Sequence, residues 1–247
     1  MGEPARETIQ RAVSPSENLL LAALPGHRRL ASLTERLEIP IAKTIYEIGS
    51  PITHYYFPVR GVFSLVKDMR DGVVEVGTVG PEGMVGIPAL LGVGITSTRV
   101  LTQSEVVTDR IAVADLDAAF ESSPGTRHIL LRYVLAFHEE VAQSVVCNRL
   151  HTLEERCARW LLMMNDRTGD ETMHVKQRFL SYMLGVHRPA VSIAAGALQR
   201  AGFIRYSRGS IRIVDRAGLE DAACECYAIG RENFARARLP VATAESG

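Results

Sequence analysis

The chain has 247 residues, 47% hydrophobic and 23% charged, with a formal net charge of zero. That is enough apolar material for one large or two modest folded domains, and too much for a disordered chain. No run approaches the roughly 18 consecutive apolar residues of a membrane helix, and the first twenty residues lack the apolar core of a secretory signal, so a cytoplasmic protein without membrane contact is expected.

Residues 1–15 are polar, contain two prolines and are expected to be mobile. Residues 16–37 read as helical, with Leu19, Leu20, Leu24, Leu30 and Leu33 as the apolar positions and Pro25-Gly26 interrupting them. The texture then changes to short β runs at 39–48, 54–58, 62–69, 73–79, 100–103 and 106–113, separated by turn residues. Asp71-Gly72 is the strongest hairpin signal among them. Short strands of this regularity predict a compact barrel or roll.

A short helix is predicted over 114–121 and a long one over 125–150. Along the long helix Leu130, Val134, Phe137 and Val141 make a coiled-coil-like seam, and Leu131, Leu135, Val145 and Val146 make a second apolar strip. One strip should cover the roll and the other should meet a partner; burial of both within one chain is the alternative. The seam through Leu130, Val134, Phe137 and Val141 is taken as a two-fold dimer interface. A further helix is expected over 151–166, with Leu153, Cys157, Trp160, Leu161 and Met164 on one face.

The stretch from Val175 to Asp215 is the most informative. Gln177–Leu184 predicts a short helix, Gly185-Val186-His187 a turn, and Arg188–Arg200 a second helix ended by Gly202. Alternating strands follow at 203–206 and 211–214. Two helices joined by a short glycine-containing turn are how proteins project a recognition helix into the major groove of duplex DNA. Charge agrees with this: between Thr172 and Arg216 stand Lys176, Arg178, Arg188, Arg200, Arg205, Arg208, Arg212 and Arg216, against the single acid Asp215. Phosphate contacts depend on such local potential and not on the chain average. An amphipathic helix is predicted over 217–238, and 239–247 as a frayed end.

The four cysteines are Cys147, Cys157, Cys224 and Cys226. A chain this large without a signal sequence is not expected to form a disulfide framework. Cys224 and Cys226 fall in a helical pattern, where neighbours two apart point in different directions. Buried free thiols are therefore the main reading, with a metal or redox role as the lesser one; no metal site and no cofactor are assigned. Glycine-rich phosphate loops, a nucleophile elbow, His-x-x-x-His and Cys-x-x-Cys spacings are all missing, so an enzyme is not expected.

Taken in order, a β-roll, a long central helix and a helix-turn-helix with a hairpin wing resemble the Crp/Fnr superfamily of bacterial transcription regulators. The resemblance runs from about residue 19 to 216. It is carried by His54-Tyr55-Tyr56-Phe57-Pro58 with Gly61, by the run Gly80-Pro81-Glu82-Gly83-Met84-Val85-Gly86, by residues 154–162, and by residues 179–184 with Gly185-Val186-His187-Arg188. The last two blocks are the more specific, since the roll alone would also fit cyclic-nucleotide-binding domains of channels and kinases.

This likeness implies an α+β chain in three parts: a sensor-like roll over 16–124, a dimerisation helix over 125–150, and a winged helix-turn-helix with a C-terminal helix over 151–238. It implies a homodimer on double-stranded DNA, with RNA polymerase and an unidentified small-molecule effector as further partners. Arg188 stands where the family's arginine reads a guanine edge, a task its forked guanidinium suits. The next family position, commonly glutamate, is Pro189, and a second family arginine corresponds to Ile193. Ser192 and His187 are lesser candidates for base readout. Lys176, Arg178, Arg205, Arg208 and Arg212 are expected at phosphates, each alone being no more than a solvated charge.

Family members that bind cyclic nucleotides use a Gly-Glu pair at the ribose and an Arg-Ser pair at the phosphate. Here Gly86 is followed by Ile87, and the arginine position falls near Thr96. Arg99 lies three residues on, an odd offset that turns it to the other face of a strand. This degenerate pocket is not expected to bind cyclic AMP. The N-terminal cysteines of the iron–sulfur members are also missing, and His54 is expected to be a hydrogen-bonded residue at a strand start. The competing reading is a small-molecule-binding module whose winged helix makes protein contacts.

Overall fold

The computed structural model describes residues 8–11, 17–70, 72–175, 177–237 and 239–240; for residues 8–11 and Arg178 it describes the backbone. The N-terminal half is a roll of two antiparallel four-stranded sheets. One has the order β1 (Thr8–Arg11), β2 (Glu35–Ile39), β8 (Val106–Ala112), β4 (His54–Arg60). The other has the order β3 (Thr44–Tyr46), β7 (Arg99–Thr102), β5 (Phe63–Met69), β6 (Gly72–Val79). Leu37, Tyr55, Phe57 and Ile111 from the first sheet and Phe63, Val79 and Val100 from the second share one buried core. The β5–β6 hairpin falls where the Asp-Gly signal placed it, with Met69 paired to Gly72.

Two expectations for the N-terminal region are corrected. Thr8–Arg11 is an edge strand paired with β2, within a segment read as mobile. The helical reading of 16–37 resolves into α1 (Leu19–Ala23) and α2 (His27–Ala31), followed by strand β2. Arg36 and Glu38 are polar, so the strand's alternation was hidden behind the leucine periodicity that precedes it. Asn18 caps α1 by accepting from the Leu21 amide at 2.8 Å, and its own amide donates to the Pro58 and Gly83 carbonyls, which seats α1 on the roll.

After α3 (Ile87–Leu90) and α4 (Val113–Ser122), the long helix α5 (Pro124–Leu150) starts at the Ser123 cap, with Pro124 in its first turn. Leu130, Tyr133 and Ala136 are buried in the roll core, and Val134 and Phe137 pack against it. Gly77 makes room for Phe137: a β-carbon there would stand 2.8 Å from the ring. Residues of the predicted seam therefore make contacts within their own chain. Leu130, Val134, Phe137 and Val141 look into their own chain, whereas Leu131, Leu135, Val145, Val146 and Leu150 are exposed, Leu150 at 73%. Both strips had helical spacing, and the small residue on β6 decides which one the roll accepts.

Helix α6 (Leu153–Thr168) follows after two residues and opens with a capping box, Thr152 and Glu155 each bonding the other's backbone amide. Beyond it come β9 (Thr172–His174), α7 (Gln177–Leu184), α8 (Arg188–Arg200), β10 (Ile204–Ser207) and β11 (Ser210–Ile213). The C-terminal helix expected over 217–238 is two helices, α9 (Arg216–Asp221) and α10 (Cys226–Arg236), broken over residues 222–225. Phe234 on α10 and Leu239 are buried in the roll core, so the start of the segment read as frayed is anchored.

Roll, long helix and C-terminal half meet at Arg167 on α6. Its guanidinium is buried 2.7 Å from Glu82 and 3.2 Å from Glu140, and it donates to the Thr78 hydroxyl. Burial by itself favours the neutral form; the two carboxylates more than offset this and hold the group charged. Removing one member of such a buried network leaves the others uncompensated. Arg167→Ala is expected to destabilise the fold by about 3–5 kcal/mol in urea unfolding; a cost under about 1 kcal/mol would show that the triad is not a structural tie.

Candidate nucleic-acid interface

Leu180, Met183 and Leu184 bury one face of α7. The helix ends at Gly185, whose φ of +64° is a left-handed conformation that glycine adopts without a Cβ penalty. The Val186 amide then reaches back to the Ser181 carbonyl at 3.0 Å. His187 is the extended N-cap of α8, and Pro189 sits in the first turn, where no amide donor is needed. Val191, Ala194, Ala195 and Leu198 form the buried face of α8, at i, i+3, i+4 and i+7. The small alanines let α8 pack closely on α6.

The other face of α8 is open. His187, Arg188, Pro189, Ser192 and Ile193 are exposed, and Arg188 and Ser192 lie one turn apart, with the Ser192 hydroxyl donating to the Arg188 carbonyl at 3.3 Å. Gly202 ends the helix, and β10 and β11 form the wing. They turn through Arg208 (φ +51°) and Gly209 (φ +80°), two successive left-handed residues as a tight hairpin requires. A third strand, β9, pairs with β11 through Met173 and Ile211, a partner too short to leave a sequence pattern. Arg205, Arg208 and Arg212 are exposed on the wing; Arg212 stands 4.0 Å from Glu171, a loose surface pair.

Thus the structure brings His187, Arg188, Ser192, Arg205, Arg208 and Arg212 together on one module as exposed residues, with His187 and Arg188 bordering a cleft against the roll. Lys176 and the Arg178 side chain lie outside the described residues. Arg216, counted in the basic run, belongs elsewhere: it pairs with Asp166 at 2.6 Å and Glu220 at 2.9 Å and bonds the Tyr227 hydroxyl, joining α6, α9 and α10. Ile193, 65% exposed, adds an apolar spot to the open face.

The module rests against the roll. Ser64 Oγ on β5 lies 3.7 Å from the Met183 sulfur, and Met69, Val74, Tyr182 and Arg188 line a cleft of about 500 Å³ between the β5–β6 hairpin and the α7–α8 turn. A second cavity of about 340 Å³ lies inside the roll, walled by α5 through Val134, Phe137 and His138 and containing Gly86, Ile87 and Thr96. Its lining is apolar apart from Tyr46, Thr96, Ser97, Thr98 and His138. Arg99 is not part of it; the guanidinium makes a paired contact to Asp68 at 2.7 and 2.9 Å. His54 begins β4 with its ring 2.9 Å from the Thr53 hydroxyl. Among the described residues no helix is long and apolar enough to cross a membrane.

Residues 155–222 match the Crp-like helix-turn-helix domain. Solved structures sharing the fold include a CRP-family transcriptional regulator from Thermus thermophilus, at 22% identity and a TM-score of 0.64 over 75% of this chain and 95% of that one. FixK2 from Bradyrhizobium japonicum is similar at 17% identity and a TM-score of 0.65, over 77% of this chain and 98% of its own. The c-di-GMP-responsive global regulator CLP of Xanthomonas campestris is similar at 14% identity and a TM-score of 0.61, over 75% and 96%. At these identities the likeness is one of fold. No curated protein matches the chain.

Proposed function

We propose that this chain, which has the Crp/Fnr fold and a Crp-like helix-turn-helix, is a cytoplasmic, homodimeric, sequence-specific transcription regulator. The observation that carries the reading is the exposed Arg188 at the start of a helix whose opposite face is fully buried, beside a wing bearing three exposed arginines. A helix held this way can enter the major groove N-terminus first, with Arg188 bidentate to guanine O6 and N7. Ser192 and His187 are its neighbours for further base contacts, and Ile193 is suited to a thymine methyl. Arg205, Arg208 and Arg212, with Lys176 and Arg178, would bind phosphates and set the register.

The second copy binds over the exposed α5 strip. Leu131, Leu135, Val145, Val146 and Leu150 present an apolar row on a helix already packed on its other side, and a two-fold axis along it covers both copies' rows at once. Two modules related by that axis read a palindromic site. The three parts are then a roll over 16–124, a dimerisation helix over 125–150 and a DNA-binding domain over 151–238. The roll cavity suits an uncharged small molecule better than a cyclic nucleotide: Ile87 and Thr96 offer neither the carboxylate nor the guanidinium such a ligand needs, and Arg99 is held by Asp68.

Selection from a random DNA pool with purified chain and no added ligand should return a two-fold symmetric site, bound with steep salt dependence. Arg188→Ala should weaken that site by about 1–3 kcal/mol and relax one base pair per half-site; unchanged preference would remove Arg188 from base readout. Leu135→Asp should halve the mass in light scattering, and an intact dimer would place the interface elsewhere. Cyclic AMP should give no heat in a calorimetric titration at micromolar concentration, so measurable binding there would overturn the pocket assignment.

A further inference from the structure

Four side chains of ligand type converge where the long helix meets the C-terminal half. Cys147 lies in the last turn of α5 and His151 is its C-cap, while Cys224 and Cys226 come from the break between α9 and α10 and the first residue of α10. The break undoes the opposed directions expected of a continuous helix, so both of these thiols turn the same way. All four ligand atoms lie within 4.8 Å of one another. Cys147 Sγ is 3.5 Å from Cys224 Sγ, and His151 Nδ1 is 3.5 Å from Cys226 Sγ. A tetrahedral ion with metal–sulfur bonds of about 2.3 Å and metal–nitrogen bonds of about 2.0 Å sets its ligand atoms about 3.5–3.8 Å apart. These two separations match the edges of one such tetrahedron.

The surroundings point the same way. His151 Nε2 is 3.2 Å from the Glu225 carboxylate, which leaves Nδ1 facing the thiols; a carboxylate on the far nitrogen is how metal-binding imidazoles are oriented. Gln143 Nε2 donates to Cys226 Sγ at 3.0 Å, a bond that suits a thiolate. Arg159, largely buried, lies beside Cys147, and its charge would offset the one excess negative charge of three thiolates on a dication. Ordinary apolar packing explains none of this polar shell.

We propose that Cys147, His151, Cys224 and Cys226 form a closed zinc site that ties the end of the long helix to the segment behind the winged module. Four protein ligands leave no open position, so the role is structural and not catalytic. Sulfur donors select zinc over magnesium or calcium. Binding converts the three thiols to thiolates and releases their protons to solvent. A polynuclear iron–sulfur cluster would spread its thiolates over separate irons, wider than this set. Two ligands stand at the junction of α5 and α6 and two follow the module, so the ion fixes the angle between them.

Reduced, metal-free full-length protein titrated with Co²⁺ without oxygen is expected to develop thiolate charge-transfer bands and the intense visible bands of a tetrahedral ion. They should saturate at one ion per chain and vanish when Zn²⁺ is added. Removing zinc with a chelator should lower the Tm. Cys226→Ser should lose or shift the bands, and Cys157→Ala, outside the set, should keep them. A weak octahedral Co²⁺ spectrum in the unaltered protein would overturn the site, as would bands that persist in the Cys147→Ser/Cys224→Ser variant. So would bound iron with acid-labile sulfide. The unaltered chain carries the decisive spectrum, so a variant that fails to fold does not obscure the result.

Discussion

One buried guanidinium organises the chain. Arg167 belongs to α6, Glu140 to α5 and Glu82 to the turn after β6, so the network joins three segments far apart in sequence. Each charge is tolerable in the interior only because the others are there. The position of the C-terminal half against the roll is therefore set by a polar contact with fixed geometry as well as by apolar packing, which has no direction of its own. A second polar tie, Arg216 with Asp166 and Tyr227, holds the last two helices to the same α6.

With α6 anchored, the rest of the C-terminal half follows from short-range rules. Its buried face receives the alanines of α8, which leaves Arg188 and Ser192 outward, and β9 and the wing close the far side. The zero net charge of the chain conceals this: acids such as Glu82, Glu140 and Asp166 are taken up inside ion pairs, while the wing arginines remain at the surface. Surface potential thus depends on which charges are buried, a quantity that composition does not contain.

The helix-turn-helix was legible in the sequence because its signals are local. A glycine with positive φ, a proline in the first turn and a four-residue apolar spacing each constrain their own neighbourhood. The roll strands and the Crp/Fnr likeness were legible for the same reason. What stayed hidden needs tertiary information. Both strips of α5 were periodic, and only Gly77 opposite Phe137 chooses between them. Arg216 looks like any other basic residue until Asp166 is placed beside it. β1 and β9 are short edge strands in polar sequence, with no alternation to read. Cys147 with His151, and Cys224 with Cys226, lie in two sequence regions that meet through the packing of α10 on α5.

The link between α5 and α6 is only His151 and Thr152, with the capping box stiffening the helix that follows. A sixteen-residue helix is about 24 Å long, so it acts as a lever arm. A swivel of about ten degrees at this two-residue pivot would carry the arm's tip sideways by about 4 Å, and the buried contacts of Arg167, one residue from that tip, to Glu82 and Glu140 hold it against such a swing. In the proposed two-fold dimer the axis would repeat any such displacement, and the gap between the two helix-turn-helix units would change by up to twice as much. The Arg167–Glu140 pair thereby keeps the direction of the arm fixed relative to the long helix it follows.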